Sequence, residues 1–135
     1  MKEFVRLIIE KENKYLLIKE VKGNWYNAWN FPGGKVDLGE NSSIAALREL
    51  KEEMNIEKTK LELLYETDCN FNNELWHGFY FLCSDIDLES LKVMEPTKCD
   101  GYCFFNFDEL KKLKLGVPND VIFKLENYNN DTKNL

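Results

Sequence analysis

The chain has 135 residues, of which 44% are hydrophobic and 13% aromatic, so it can form a single globular domain with a packed core. Its 24 acidic and 18 basic residues give a net charge of -6, which argues against a stable nucleic-acid partner bound through direct contacts of Lys and Arg. The sequence has no apolar run of membrane-spanning length and no signal-peptide pattern at residues 1–10, so we expect a cytoplasmic protein without membrane contacts.

The first part of the chain predicts a β-hairpin followed by an aromatic loop. Apolar, β-forming segments at Phe4–Ile9 and Tyr15–Ile18 are separated by a short polar stretch, which is the pattern of two antiparallel strands. The segment Val21–Asn30 mixes Gly and Asn with Trp and Tyr, and it predicts a loop that enters a short strand near Trp29 and Phe31. We expect the Pro-Gly-Gly sequence that follows to end this strand.

The segment Ser42–Met54 predicts the main helix. Its apolar residues recur at helical spacing, at Ile44, Ala45, Leu47, Leu50 and Met54. Asn41, Ser42 and Ser43 are all suitable N-cap residues. Asn55 stands where a left-handed residue is expected to end the helix, and Asn is the usual substitute for Gly in that conformation.

The remaining sequence predicts three more strands and a last helix. The strands are expected at Leu61–Thr67, Leu75–Cys83 and Tyr102–Phe107, and the helix is expected to run from Pro118 to about Tyr128. Residues 1–128 are therefore predicted to form one domain, and the polar tail 129–135 is expected to fray.

Three glutamates of the main helix, Glu49, Glu52 and Glu53, occur at positions i, i+3 and i+4 and so share one face within a single turn. Most charged runs of this kind are solvated helix faces. Mg²⁺, however, prefers oxygen ligands and would relieve the repulsion between these carboxylates. Gly33 and Gly34 favour the metal site, because they let the backbone before the helix approach closely enough for a carbonyl to reach the ion.

The segment GGKVDLGENSSIAALRELKEEMNI resembles the Nudix box, GX5EX7REUXEEXGU, in which U is a large aliphatic residue. The matching positions are Gly34, Glu40, Arg48, Glu49, Leu50, Glu52, Glu53 and Ile56. Asn55 is the single departure, because the pattern has Gly there. The predicted elements along the rest of the chain follow the family order. The resemblance therefore implies an α/β fold, the Nudix α/β/α sandwich with a central mixed β-sheet.

Carried over to this sequence, the resemblance implies a site for Mg²⁺, for which Mn²⁺ is the expected substitute. It makes Glu49, Glu52 and Glu53 the metal ligands, with the Gly34 carbonyl as an additional one. Relatives often supply one more carboxylate from a later loop. Asp100 is the candidate for that role, and the nearby Glu95 is the alternative.

The same resemblance implies attack of a metal-activated water on a phosphorus atom. It assigns catalytic roles to Arg48, Glu49, Glu52 and Glu53. Arg48 and Glu40 would hold the metal-binding carboxylates in place by charge-assisted hydrogen bonds, and the alternative is an ordinary surface ion pair. Either Glu52 or Glu53 is the general base, and the sequence does not decide between them.

The segments WNFPGGKV and EPTKCDGYCFF resemble the MutT-like branch of the family, which acts on nucleoside triphosphates, including oxidised ones. By that resemblance Asn30, Asn119 and Asp120 contact the base, although the latter two are also ordinary first-turn helix residues. Lys19 and Lys35 would bind the phosphates, unless they are merely solvated.

The expected protein is thus a monomeric or homodimeric hydrolase with a small-molecule nucleotide substrate. Two alternatives stay open. The first is a hydrolase of a larger nucleoside diphosphate derivative, such as a dinucleoside polyphosphate or capped RNA. The second is a non-catalytic nucleotide-binding protein, although such proteins commonly lose box carboxylates that this chain keeps.

Overall fold

The computed structural model describes residues 1–20, 28–92, 99–113, 121 and 124–128, of which Glu20, Cys99 and Asp100 are described by their backbone alone. In chain order the elements are β1 (Lys2–Lys11), β2 (Lys14–Glu20), β3 (Trp29–Asn30), β4 (Gly33–Lys35), α1 (Ser42–Met54), β5 (Lys60–Phe71), β6 (Glu74–Ser84), a 3₁₀ turn (Leu88–Ser90), β7 (Cys99–Phe105) and α2 (Phe107–Lys112). Residues 121 and 124–128 are also helical.

Strand β1 organises a mixed sheet. One edge of β1 pairs in parallel with β6, which in turn pairs antiparallel with β5. Along its other edge β1 pairs with β4 at Phe4–Arg6 and with β2 at Glu10 and Lys11. Strand β2 also pairs with β3 and β7. Because β1 changes partner midway, the segment that joins the end of β3 to the start of β4 lies beside the middle of β1.

Two apolar cores lie on opposite faces of the sheet. Alternate residues of β1 enter different cores, with Val5 and Leu7 on the side of α1 and Ile8 on the other side. The second core includes Leu110 of α2 together with the helical residues Val121 and Leu125. The sheet therefore lies between helices, and the predicted α/β/α sandwich with a mixed sheet is confirmed.

Helix α1 has the predicted bounds and the predicted ends. Asn41 is the N-cap, and its side-chain oxygen accepts a hydrogen bond from the Ile44 N–H at 2.9 Å. Asn55 adopts the left-handed conformation with φ 59°, as expected for the residue that replaces Gly in the box. The buried side of the helix carries Ala45, Ala46, Leu50 and Met54, so apolar packing fixes its orientation on the sheet.

The hairpins are longer than predicted. Strands β1 and β2 are joined by Glu12 and Asn13, both with positive φ, and β5 and β6 are joined in the same way by Asn72 and Asn73. Strand β5 thus continues four residues beyond the predicted end at Thr67, to Phe71. The two-residue turns explain the extension, since their twist matches that of the flanking strands.

Two other predictions need correction. Gly33 and Gly34 do not simply end a strand, because they form β4 beside β1. Phe107 does not extend the preceding strand, because it begins α2. The helix starts there because Asn106 and Glu109 form a capping box, in which each side chain accepts from the backbone N–H of the other residue.

The predicted helix start at Pro118 and the tail 129–135 lie outside the described residues. Residues 124–128 of the predicted last helix are helical, and its end at about Tyr128 stays a prediction. Within the described ranges, no helix has both the length and the apolar character needed to cross a membrane.

His77 links two acidic residues across the β5–β6 hairpin and makes stability depend on pH. Its Nδ1 lies 2.5 Å from Asp68 Oδ1 and its Nε2 lies 2.9 Å from Glu66 Oε1, and these contacts raise the pKa of His77 above 6.5. The protonated ring is therefore favoured in the folded state, so its stabilising contribution is present below pH 6.5 and is lost as the pH rises through the raised pKa.

We expect the difference in free energy of unfolding between wild type and His77→Gln to shrink as the pH rises above 6.5. Urea unfolding at a series of pH values measures this difference. Asp68→Asn should weaken the pH dependence, because it removes the nearer acceptor. A difference that stays constant with pH would show that the charged His77 contributes nothing.

Candidate active site

Two carboxylates of α1 lie against the backbone of β4. The Gly33 N–H donates a hydrogen bond to Glu53 Oε2 at 3.3 Å. A Cβ atom added to Gly34 would overlap the carboxylate of Glu49. A side chain at position 34 would therefore displace the Glu49 carboxylate from its place against the strand. Glu49, Glu53 and the backbone of Gly34, three predicted members of the metal site, are brought together.

Burial and mutual repulsion make these carboxylates unfavourable when both are charged. Glu49 is only 8% exposed, and burial raises its pKa. Burial and the neighbouring charge of Glu49 raise the pKa of Glu53 to about 8. Two adjacent, partly desolvated carboxylates provide oxygen donors and negative charge for a hard divalent cation. The residues present therefore fit Mg²⁺, and the ligand roles of Glu49 and Glu53 remain a prediction.

Arg48 ties the loop before α1 to the carboxylates of the helix. Its guanidinium donates to Glu40 Oε1 at 2.6 Å, to Glu49 Oε1 at 3.0 Å and to Glu52 Oε2 at 3.2 Å. It also donates to the Lys35 carbonyl at 2.9 Å. These contacts raise the pKa of Arg48 and lower that of Glu40. The predicted hydrogen bonds are thus present, and the network joins more acceptors than an ordinary surface ion pair.

Glu52, the third predicted ligand, lies on the same helix but faces solvent more. Its side chain is 50% exposed, and its Oε2 accepts from Arg48. Glu52 thus shares the Arg48 guanidinium with Glu49, and its role as a metal ligand or general base stays a prediction.

Asn30 is a fully buried polar side chain of β3. It lies in β3 with no exposed surface, and neither its Oδ1 nor its Nδ2 has a hydrogen-bond partner within the described ranges. A buried amide left unpaired costs about 1–3 kcal/mol per group. Its two polar atoms are therefore available to a ligand that offers both a donor and an acceptor.

Arg6 is a nearby residue that the sequence analysis did not single out. It lies in β1 opposite Gly33, and its Nη1 donates to the Phe31 carbonyl at 3.0 Å. Its positive charge lowers the pKa of Glu53, which places it near the predicted metal site. The signal in the sequence is one arginine within the otherwise apolar run FVRLII.

The remaining predicted site residues are less well defined. Lys19 is partly buried in β2 beside Trp29, whereas the side chain of Lys35 is exposed at the end of β4. Asp100 lies in β7 and not in a loop, because this segment pairs with β2, and its side chain is not among those described. Glu95, Asn119 and Asp120 lie outside the described residues.

The family of the protein follows from comparison with known proteins. A family model of the NUDIX domain matches residues 3–125, which is most of the chain. The chain belongs to the Nudix family. Members generally use divalent metal ions, and membership supports pyrophosphohydrolase activity on nucleotide derivatives.

Individual relatives agree with this assignment. The RNA pyrophosphohydrolase of Pelagibacter ubique (strain HTCC1062) is 35% identical over an alignment of 141 positions, which covers 90% of this chain and 82% of that protein. The CTP pyrophosphohydrolase of Escherichia coli (strain K12) is 42% identical over 60 residues, covering 44% of each protein. The crystal structure of a MutT NUDIX hydrolase from Burkholderia pseudomallei superimposes with a TM-score of 0.78 and 27% identity, covering 93% of this chain and 95% of that one.

Arg48→Gln tests whether the arginine network holds the site together. The substitution leaves Glu40, Glu49 and Glu52 without their charged donor, so we expect it to lower the free energy of unfolding by about 1–3 kcal/mol. Urea unfolding without divalent cations measures the change. Lys51→Gln is the matched control, because Lys51 is an exposed cation on the same helix. Equal effects of the two substitutions would contradict a structural role of the network.

Proposed function

We propose that this chain is a Mg²⁺-dependent Nudix hydrolase that converts a nucleoside triphosphate, canonical or modified, into the nucleoside monophosphate and pyrophosphate. The observation that carries the proposal is the arrangement of Glu49 and Glu53 against β4, a short distance along the chain from the unpaired side chain of Asn30. One part provides charge for a metal and its phosphates, and the other provides a polar group for the base.

The carboxylates of α1 would bind the ion, with Glu49 and Glu53 on the buried side and Glu52 on the exposed side. Bound Mg²⁺ would neutralise phosphate charge and lower the pKa of a water molecule. Arg48 holds Glu49 and Glu52 in fixed positions through its hydrogen bonds. Glu52 or Glu53 would accept the proton of the attacking water, as the resemblance to the family implies.

Asn30 would read the edge of the base. Its amide has both a donor and an acceptor, and a complementary base edge would satisfy both of them in a site without water. Asn119 and Asp120 would complete the base contacts, as the resemblance to the MutT-like branch implies. Lys19 and Lys35 would bind the phosphates.

A second candidate is removal of pyrophosphate from the 5′ end of RNA. The observation that favours it is the relative named RNA pyrophosphohydrolase, which aligns with 90% of this chain. The net charge of -6 argues against it, because binding an RNA chain depends on Lys and Arg contacts with phosphates. The nucleoside triphosphate therefore remains the preferred substrate.

Product analysis on a panel of substrates tests the proposal, since a triphosphate would release pyrophosphate whereas a capped RNA or a dinucleotide would release a mononucleotide. The panel contains canonical, methylated and oxidised nucleoside triphosphates, a 5′-triphosphorylated RNA, a capped RNA and a dinucleoside polyphosphate, each with Mg²⁺ and with Mn²⁺. Turnover of the free triphosphates supports the proposal, whereas preference for an RNA or a dinucleotide would favour the larger substrates. Nucleotide binding without any turnover would indicate a non-catalytic protein.

Glu53→Gln is expected to lower kcat/KM by about 10²-fold or more, because it removes a charge from the metal site. The fold should persist. Burial raises the pKa of Glu53 to about 8, so at neutral pH the metal-free folded protein must keep this carboxyl protonated, which costs stability, and Gln removes that cost.

The measurements are initial rates of pyrophosphate release with Mg²⁺ and urea unfolding with EDTA. Lys51→Gln serves again as the control, and Glu49→Gln should behave like Glu53→Gln because the two side chains lie one helical turn apart. Turnover of Glu53→Gln at the wild-type rate would sink the assignment.

Asn30→Ala is expected to change the ratio of kcat/KM values between nucleoside triphosphates by a factor that corresponds to about 1–3 kcal/mol, because a base edge loses its polar partners. Asp120→Ala should act in the same way. Asn70→Ala is the control, because Asn70 is exposed in β5. The panel of triphosphates is measured at one Mg²⁺ concentration. If every rate falls by the same factor, Asn30 serves folding or phosphate placement and not base recognition.

A further inference from the structure

The chain has two arginines, which differ in how many of their N–H donors are bonded to acceptors of the described residues. Arg48 donates to Glu40, Glu49, Glu52 and the Lys35 carbonyl, so its guanidinium is committed to the protein. Arg6 donates to the Phe31 carbonyl, and no carboxylate of the described residues lies within 4.0 Å of its guanidinium nitrogens. Since a guanidinium carries five N–H donors, Arg6 can bind a further acceptor.

Arg6 contacts the backbone between Asn30 and the glycines of the predicted metal site. In the β1–β4 ladder Arg6 is the partner of Gly33, and the Gly33 N–H donates to Glu53. On its other side Arg6 bonds to Phe31, the residue that follows Asn30. Arg6 thus contacts the short segment that joins the two parts of the candidate site.

The guanidinium is held in a defined position. Besides the bond to Phe31, its central carbon lies 5.7 Å from the centre of the Phe4 ring, within the range of a cation–π interaction. The side chain is also partly buried, so water screens its charge less than that of a surface cation. A fixed, partly buried cation with spare planar donors is suited to bidentate binding of phosphate oxygens.

We propose that Arg6 binds the phosphate group that is joined to the nucleoside of the substrate. This inference rests on the proposed function, because it takes the base to lie at Asn30 and the outer phosphates to lie at the carboxylates of α1. The phosphate attached to the nucleoside would then lie between those two points, beside the segment 31–33 that Arg6 contacts. The positive charge of Arg6 also offsets part of the negative charge of the site, which would otherwise repel a phosphate from this acidic protein.

Binding measurements separate this role from a structural one. The four ribonucleosides and their 5′-monophosphates are titrated by calorimetry into wild type, Arg6→Gln and Arg6→Lys, and thermal unfolding is recorded for each. The control is Lys2→Gln, which removes a cation on the same strand that pairs with Glu74. The quantity compared is the affinity for the monophosphate divided by that for the nucleoside.

We expect Arg6→Gln to lower this ratio by about tenfold to a hundredfold and to leave the affinity for the nucleoside unchanged, because only a charge-assisted phosphate contact is lost. Arg6→Lys should restore part of the ratio, and Lys2→Gln should not change it. In kinetics, Arg6→Gln should lower kcat/KM by one factor for all bases, unlike a change at Asn30.

Other outcomes overturn the inference. An unchanged ratio with a lower unfolding temperature would show that Arg6 only supports Phe31, and weaker nucleoside binding at an unchanged ratio would make it a base contact. Absence of pyrophosphate release by wild type would refute the proposed function alone, provided that the ratio still falls in Arg6→Gln. Wild type that binds neither nucleosides nor monophosphates would refute both proposals.

Discussion

The contact between the backbone of β4 and the carboxylates of α1 is the constraint on which the rest of the site depends. Gly34 leaves the space that the Glu49 carboxylate fills, and Gly33 donates to Glu53. Strand β4 is itself held by its pairing with Val5 and its neighbours in β1. The position of the carboxylates is therefore fixed from both sides, by the ladder of the sheet and by the apolar packing of the helix.

This arrangement brings several carboxylates together, and positively charged donors bond to some of them and not to others. Arg48 bonds to Glu49 and Glu52 as well as to Glu40, so these carboxylates have a charged donor. Glu53 accepts from a backbone N–H and shares a hydrogen bond with Glu49, and burial beside Glu49 raises its pKa to about 8. Glu53 is thus the carboxylate that would gain most from a divalent cation, since the protein offsets its charge least.

The features predicted correctly from the sequence depend on neighbours along the chain. The bounds of α1, its cap at Asn41 and the left-handed Asn55 follow from helical spacing and local backbone preferences. The capping box that starts α2 is also local, although the β-forming residues before it predict a strand that continues to Phe107. By contrast, the strand pairing of β4 and the contact between Arg6 and Phe31 join distant segments, and no local pattern specifies them.

The parts of the candidate site lie on different elements of the fold. The predicted metal ligands and Arg48 all belong to the box and its helix, whereas Asn30 comes from β3 and Arg6 from β1. The two sets meet because β1 changes its pairing partner from β4 to β2 midway along its length. Substitutions in the strands can therefore alter which nucleotide binds while the helix keeps the same charge arrangement. Under the proposed function, the box would specify the reaction, and the residues beside the split in the sheet would specify the substrate.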